Sequence, residues 1–230
     1  MMKSRLRALG LLALVLLVPH LPSIAQTGLE EGWETNANRR HPPDQVMDLV
    51  GIKAGMIIGE VGAGRGRFTV HLARRVGDQG RIYANDIDRA SLEYVKDRCR
   101  RNGLANIETG LGEPDDPLFP RNGLDMVFMV WTYHMMEKPV AMLRSLIPYL
   151  KPGATVVMVE PVPAETEDEI EEATARLGRK PLDIHVVSEE SVRRDAAAAG
   201  FDLVRTDTSF TKDNIFILSV HGVSHVRSHS

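Results

Sequence analysis

One cysteine, Cys99, serves 230 residues, so no internal disulfide can form. Long apolar runs are scarce as well. The longest, Ala8 to Val18, holds eleven residues, well short of the roughly 20 that a helix needs to cross a bilayer. Excess positive charge is missing: 28 basic against 31 acidic side chains give a formal charge of -3. An acidic chain is a poor default binder of phosphate backbones, and no nucleic-acid partner is expected. No Gly-Lys-Ser/Thr follows the glycine cluster, which excludes a Walker phosphate loop. What is present, 43% hydrophobic and 26% charged residues, is ordinary for a soluble globular chain whose length suits one domain.

The amino terminus, "MMKSRLRALGLLALVLLVPHLPSIAQ", has a basic start, the apolar run, two prolines, and Ser23 and Ala25 at the spacing that a signal peptidase reads. A cleaved leader ending at Ala25 is expected, with the mature protein periplasmic or extracellular, and cytoplasmic if the leader is not functional. Position 26 is Gln, so no lipoprotein anchor is expected, nor stable membrane insertion of the mature chain. Without the leader the balance is 25 basic to 31 acidic residues, a formal charge of -6.

Beyond a polar connector over residues 26–44, "PPDQVMDLVGI" sets Val46, Leu49 and Val50 at helical spacing behind a proline start. Strand-like and helix-like runs then alternate. Strands are expected at 56–61, 81–86, 106–110, 124–130 and 154–160, and helices at 67–76, 89–101 and 139–150. This alternation predicts βαβ units. A helix over 188–199 precedes "FDLVRTD" and "NIFILSV", which are joined too closely to be parallel neighbours. The expected fold is α/β: a Rossmann-like seven-stranded, mostly parallel sheet with one antiparallel strand and helices on both faces, over residues 45–220. Residues 221–230 form a tail, and "PAETEDEIEEATARLGRKPLDIH" is an excursion over the active face. Within 89–101, Leu92, Val95 and Cys99 share a stripe, which makes Cys99 a core residue, while Lys96, Arg98, Arg100 and Arg101 lie elsewhere.

The stretch "EVGAGRGRF" places Gly62, Gly64 and Gly66 between a strand and a helix, where bare backbone can approach a ligand. The nicotinamide fingerprint G-x-G-x-x-G fails, because Arg67 stands where its third glycine belongs. Glu60, just before the glycines, would repel a pyrophosphate but could accept from a cationic amino-acid group. Asp86, at the tip of the next strand, is placed to take both hydroxyls of a ribose. A ligand with a ribose, a positive amino-acid end and no phosphate satisfies both acids.

With "NDID", "GEPDD", "LDMVFMVWTYHMM" and "LKPGATVVMVEP" following in order, the chain resembles a class I S-adenosylmethionine-dependent methyltransferase from about Gln45 to Val220. Its distal "HVVSEESVRRDAAAAGFDLV" is similar to a subgroup of bacterial methyltransferase-like proteins, many of them exported. The resemblance implies S-adenosylmethionine as cofactor, with Gly62, Ala63 and Gly64 around the methionine part and Asp86 on the ribose. It also implies Ile87 on the adenine, Glu113 or Asp115 near the adenine amine, and Val130 at the strand-four end of the same site. Arg65, Arg67 and Trp131-Thr132 depart from the family's usual pattern.

Methyl transfer needs alignment and exclusion of water, with a base only where the acceptor must lose a proton. Tyr133 and His134 are the catalytic candidates, with Glu160 and His185 at other ligand-side positions; His134 serves as base or simply caps and packs the strand end. Glu137 and Glu160 read as solvated or capping residues. No Asn/Asp-Pro-Pro-Tyr follows strand four, which points away from base or glutamine methylation. His221, His225 and His229, four apart, would align on a helical tail, but a frayed terminus is the expectation and no metal site is assigned. Two functions stay open: methyl transfer to a small-molecule acceptor, and an exported binding or accessory protein that keeps the fold without transfer.

Overall fold

The computed structural model describes residues 29–162 and 187–222. Its strands are β1 (Ile57–Val61), β2 (Arg81–Asp86), β3 (Ile107–Leu111), β4 (Leu124–Val130), β5 (Leu150–Pro161), β6 (Phe201–Phe210) and β7 (Asp213–Val220). They form one sheet in the order β3-β2-β1-β4-β5-β7-β6. β7 runs antiparallel to both neighbours, and the central pairs are parallel. The sequence order therefore reverses between β1 and β4, and such a switch point opens a crevice at the carboxyl ends of the strands.

Both faces are covered, which is why the central strands read as continuous apolar runs and not as alternating ones. Helices α2 (Pro43–Leu49), α3 (Thr69–Val76) and α4 (Arg89–Arg101) bury Val46, Leu72, Val95 and Cys99 against Ile58, Met126 and Phe128. Helices α5 (Pro139–Leu146) and α6 (Glu189–Ala199) bury Leu143, Leu146, Val192 and Ala196 against Val127, Met129 and Val156. Period-two alternation along each strand sends neighbouring residues to opposite layers. Cys99 is buried as expected, and desolvation pushes its thiol up to about 11.

Several boundaries differ from expectation for local reasons. The first crossover helix starts at Thr69 because Gly66, at φ +78°, keeps the preceding residues in a turn. The helix expected over 139–150 ends at Leu146 and tightens into a 3-10 turn over Ile147–Tyr149, where Pro148 supplies no N–H; the chain then opens β5 early. The polar connector is itself helical, α1 (Thr35–Arg40), with Asn38 and His41 buried against the domain. Arg98 is not on a solvated face: it is fully buried, ion-paired with the equally buried Glu34, and donates to the Leu29 carbonyl at 2.6 Å.

The leader, the excursion with His185, and His225 and His229 lie outside the described residues. His221 is exposed and pairs with Asp202 at 2.9 Å. No helix among the described residues is long and apolar enough to cross a membrane.

Candidate active site

A cavity of about 460 Å³ opens where β1, β2 and β4 end, a size suited to a small ligand. Gly62 and Gly64 line it with Asp86, Ile87, Glu113 and Val130. Gly62 sits at φ +72°, and a Cβ there would overlap the Thr132 side chain, so the loop can close on the β4 exit only through a glycine. Gly64, at φ +53°, has nothing within 4 Å of where its Cβ would project, which leaves bare backbone facing open space.

Asp86 ties this loop to the next strand. One carboxylate oxygen accepts from the Gly64 N–H at 2.7 Å, and the other from the Asp88 N–H at 2.9 Å. Each oxygen keeps acceptor capacity for a ligand hydroxyl. Asn85, beside it, donates to the carbonyls of Gly110 at 3.2 Å and Pro117 at 3.1 Å, bracing the loop that carries Glu113. Ile87 stands 64% exposed, an apolar shelf on the cavity wall. Asp86, Glu113 and Glu137 are the ionisable groups among the described lining residues, so the wall favours a cationic ligand. Two other hollows, of about 620 and 510 Å³, lie between α4 and β3 and beside α3, away from the glycine loop.

The family model for a methyltransferase domain matches residues 58–153. The ubiquinone/menaquinone biosynthesis C-methyltransferase UbiE of Idiomarina loihiensis is 28% identical over 115 residues, 50% of this chain and 46% of that protein. The chain thus spans less than half the length of that relative. A SAM-dependent methyltransferase from Aquifex aeolicus superposes with a TM-score of 0.71 at 25% identity, over 81% of this chain and 93% of that one. The cyclase SpnF shares the fold with a TM-score of 0.66 at 16% identity, over 85% of each chain. The chain thus carries a methyltransferase domain over residues 58–153 and has the fold of class I S-adenosylmethionine-dependent methyltransferases.

Within this methyltransferase fold, several of the expected site residues stand off the cavity wall. Glu60 shares a strand face with Ile58 and points into the α3–α4 layer, where it accepts from the Thr69 hydroxyl at 2.5 Å. Burial raises its carboxyl to about 8, so at neutral pH it is mostly uncharged and offers a cationic ligand little. The Ala63 methyl lies in the same layer, and its N–H is committed to the Asn85 carbonyl at 2.8 Å.

Tyr133 and His134, expected as catalytic, are both buried and line no part of the cavity. The Tyr133 hydroxyl donates to Asp195 of α6 at 2.8 Å; burial, and then that carboxylate, push its ionisation well above the usual range. His134 Nδ1 lies 2.6 Å from Glu160 Oε2. Glu160 is fully buried, not solvated, and accepts from the N–H groups of Thr132 at 3.0 Å, Tyr133 at 2.8 Å and His134 at 3.4 Å. It caps the 3-10 turn over Tyr133–Met135, the alternative the sequence left open, and His134 braces that cap. Of the adenine-side pair, Glu113 lines the cavity while Asp115 pairs outside it with Lys138 at 3.1 Å.

Sequence reasoning missed Asn85, Trp131, Thr132, Met135, Met136, Glu137 and Met142 as lining residues. It also missed why Arg67 and Trp131 depart from the family pattern. Arg67 is buried beneath the glycine loop against Asn38 and His41. Trp131 holds φ +54°, a left-handed conformation that costs a bulky residue about 1–2 kcal/mol. Its indole N–H donates to Asp213 at 2.6 Å. The available signal was the departure from family pattern, which marked these two positions together with Arg65 and Thr132.

Proposed function

We propose that the protein transfers a methyl group from S-adenosylmethionine to a small-molecule acceptor. The convergence of Gly62, Gly64, Asp86 and Ile87 on one cavity at the switch point of the sheet supports this reading most strongly. The cradle suits the ligand: a carboxylate for a ribose, an open backbone corner at Gly64 for the methionine end, a bare apolar shelf for a purine, and an acidic wall for a sulfonium. When bound, S-adenosylmethionine supplies an electrophilic methyl on a positively charged sulfur.

In this reading Asp86 fixes the sugar, Ile87 and Glu113 hold the base, and the glycine backbone orients the amino-acid end. Trp131, Met135, Met136 and Met142 keep water from the path between donor and acceptor. Positive charge spreads during transfer, and the carboxylates of the wall counter it.

Calorimetry with S-adenosylmethionine and its demethylated product tests the reading. Binding weakened at least about tenfold by Asp86→Ala, or about 1.4 kcal/mol, supports it. No binding at millimolar ligand refutes it.

One observation favours an accessory protein without transfer: the two side chains expected as acid–base groups are turned into the core. Release of demethylated product with any acceptor excludes that alternative. The leader reading further proposes export, which amino-terminal sequencing of the mature protein tests by a start at Gln26.

A further inference from the structure

A line of buried polar side chains lies outside the lining of the cavity. Asn38 Oδ1 accepts from Arg67 Nε at 2.8 Å. Arg67 Nη1 stands 2.6 Å from His41 Nε2, and its Nη2 donates to the His41 carbonyl at 3.2 Å. His41 Nδ1 lies 3.1 Å from Asp213 Oδ2, and Asp213 Oδ1 accepts from the Trp131 indole at 2.6 Å. Arg40 adds a cation to Asp213 at 2.9 Å. A guanidinium can only donate and a carboxylate only accept, so His41 must carry its proton on Nδ1. Burial favours the same neutral ring by lowering the His41 pKa. The chain of bonds thus has one consistent polarity from Arg67 to Asp213.

It also has a destination. The His41 ring meets the Trp131 edge at 5.0 Å and 75°, and the Arg40 and Arg67 guanidinium carbons lie 5.4 and 5.5 Å from the Trp131 ring centre. Trp131 lines the cavity, and its left-handed backbone needs an external hold, since an unconstrained bulky residue would leave that region. Arg67 belongs to the glycine-loop side of the cavity and Trp131 to the β4 exit, so the bonds join the two.

We propose that Asp213, His41 and Arg67 are positioning residues that set the Trp131 ring as the acceptor-side wall of the cavity, making the segment around α1 part of the site. Naming that wall acceptor-side rests on the methyl-donor reading; the relay itself does not. An anchor that only held α1 to the domain would have no use for the second Asp213 oxygen on the Trp131 indole.

The chain has two tryptophans, Trp33 and Trp131, so Trp33→Phe leaves Trp131 as the sole indole emitter. In that background Asp213→Ala is expected to raise acrylamide quenching of Trp131 about twofold or more and to shift its emission to the red. Most of the emission change caused by S-adenosylhomocysteine is expected to disappear with it. Arg67→Lys, which keeps the charge and loses the fork that holds His41 and Asn38, is expected to act in the same direction more weakly. Circular dichroism confirms that each variant is folded, and if Asp213→Ala is not, Arg67→Lys carries the test. Unchanged Trp131 quenching and emission in a folded variant would overturn the proposal. Failure of the parent to bind S-adenosylhomocysteine would remove the methyl-donor reading while the quenching comparison still decides the relay.

Discussion

The two walls of the cavity are built by different physics. The wall at β1 and β2 is local: a βαβ unit, glycines at positive φ and one strand-tip carboxylate bring Gly62, Gly64, Asp86 and Ile87 together. The wall at β4 is assembled over distance, since Trp131 stands where it does because of Asp213, which is itself satisfied by His41 from 172 positions away. Backbone conformation defines the first wall, and mutual satisfaction of buried charges defines the second. Changes at the first should therefore alter ligand affinity, and changes behind the second should alter stability before they alter affinity.

The largest expected effect lies at the buried ion pair beside the glycine loop, behind neither Asp213 nor Trp131. Arg98→Ala leaves Glu34 buried without its cation and should destabilise the protein by about 3–5 kcal/mol in denaturant unfolding. Arg98→Met combined with Glu34→Leu should recover most of that loss, because the penalty comes from the unpaired charge. A double variant no better than Arg98→Ala would assign the effect to the Leu29 and Arg65 carbonyls that Arg98 also serves.

At the first wall, Gly62→Ala puts an L side chain at φ +72° and into Thr132. We expect about 2–3 kcal/mol of lost stability, read by thermal unfolding, together with a marked loss of S-adenosylhomocysteine affinity. Gly64→Ala meets open space in the protein and keeps only the strain of φ +53°, about 1 kcal/mol, so its stability loss should be smaller and its steric cost should appear mainly in affinity. Comparable stability losses at both glycines would erase the distinction between a packed and a ligand-facing position.

The contrast between walls also explains what the sequence could reveal. Alternating apolar runs, the proline start of α2 and the short β6–β7 connection carry their own local physics, and the sheet follows from them. That Gly62, Gly64, Asp86 and Ile87 share one cavity was legible because the motif and the geometry occupy the same short segment. His134 and Tyr133 misled because a titratable residue after a strand reads alike whether it faces the ligand or, as here, Glu160 and Asp195. The burial of Arg98, Asn38 and His41 was not legible, because polar residues are usually exposed and nothing local reveals a buried partner on another element.

A pH-dependent effect separates Glu60 from the charged part of the first wall. Its carboxyl is raised from 4.5 to about 8, so between those values the native state holds a proton that the unfolded chain has lost. Stability should fall as pH rises through that window and level off above it. Glu60→Gln should leave stability near pH 5 almost unchanged and raise it near pH 9, relative to the parent, by roughly a few kcal/mol. Equal pH profiles for the two proteins would mean that Glu60 is charged in the native state and could serve the ligand after all.

A crystal structure with S-adenosylhomocysteine tests the central claim most directly. The account predicts both ribose hydroxyls within hydrogen-bonding distance of Asp86, the purine over Ile87, and the amino-acid end beside the Gly62–Gly64 backbone. Nucleoside density elsewhere, or an Asp86 carboxylate still committed only to Gly64 and Asp88 with the sugar out of reach, would contradict it.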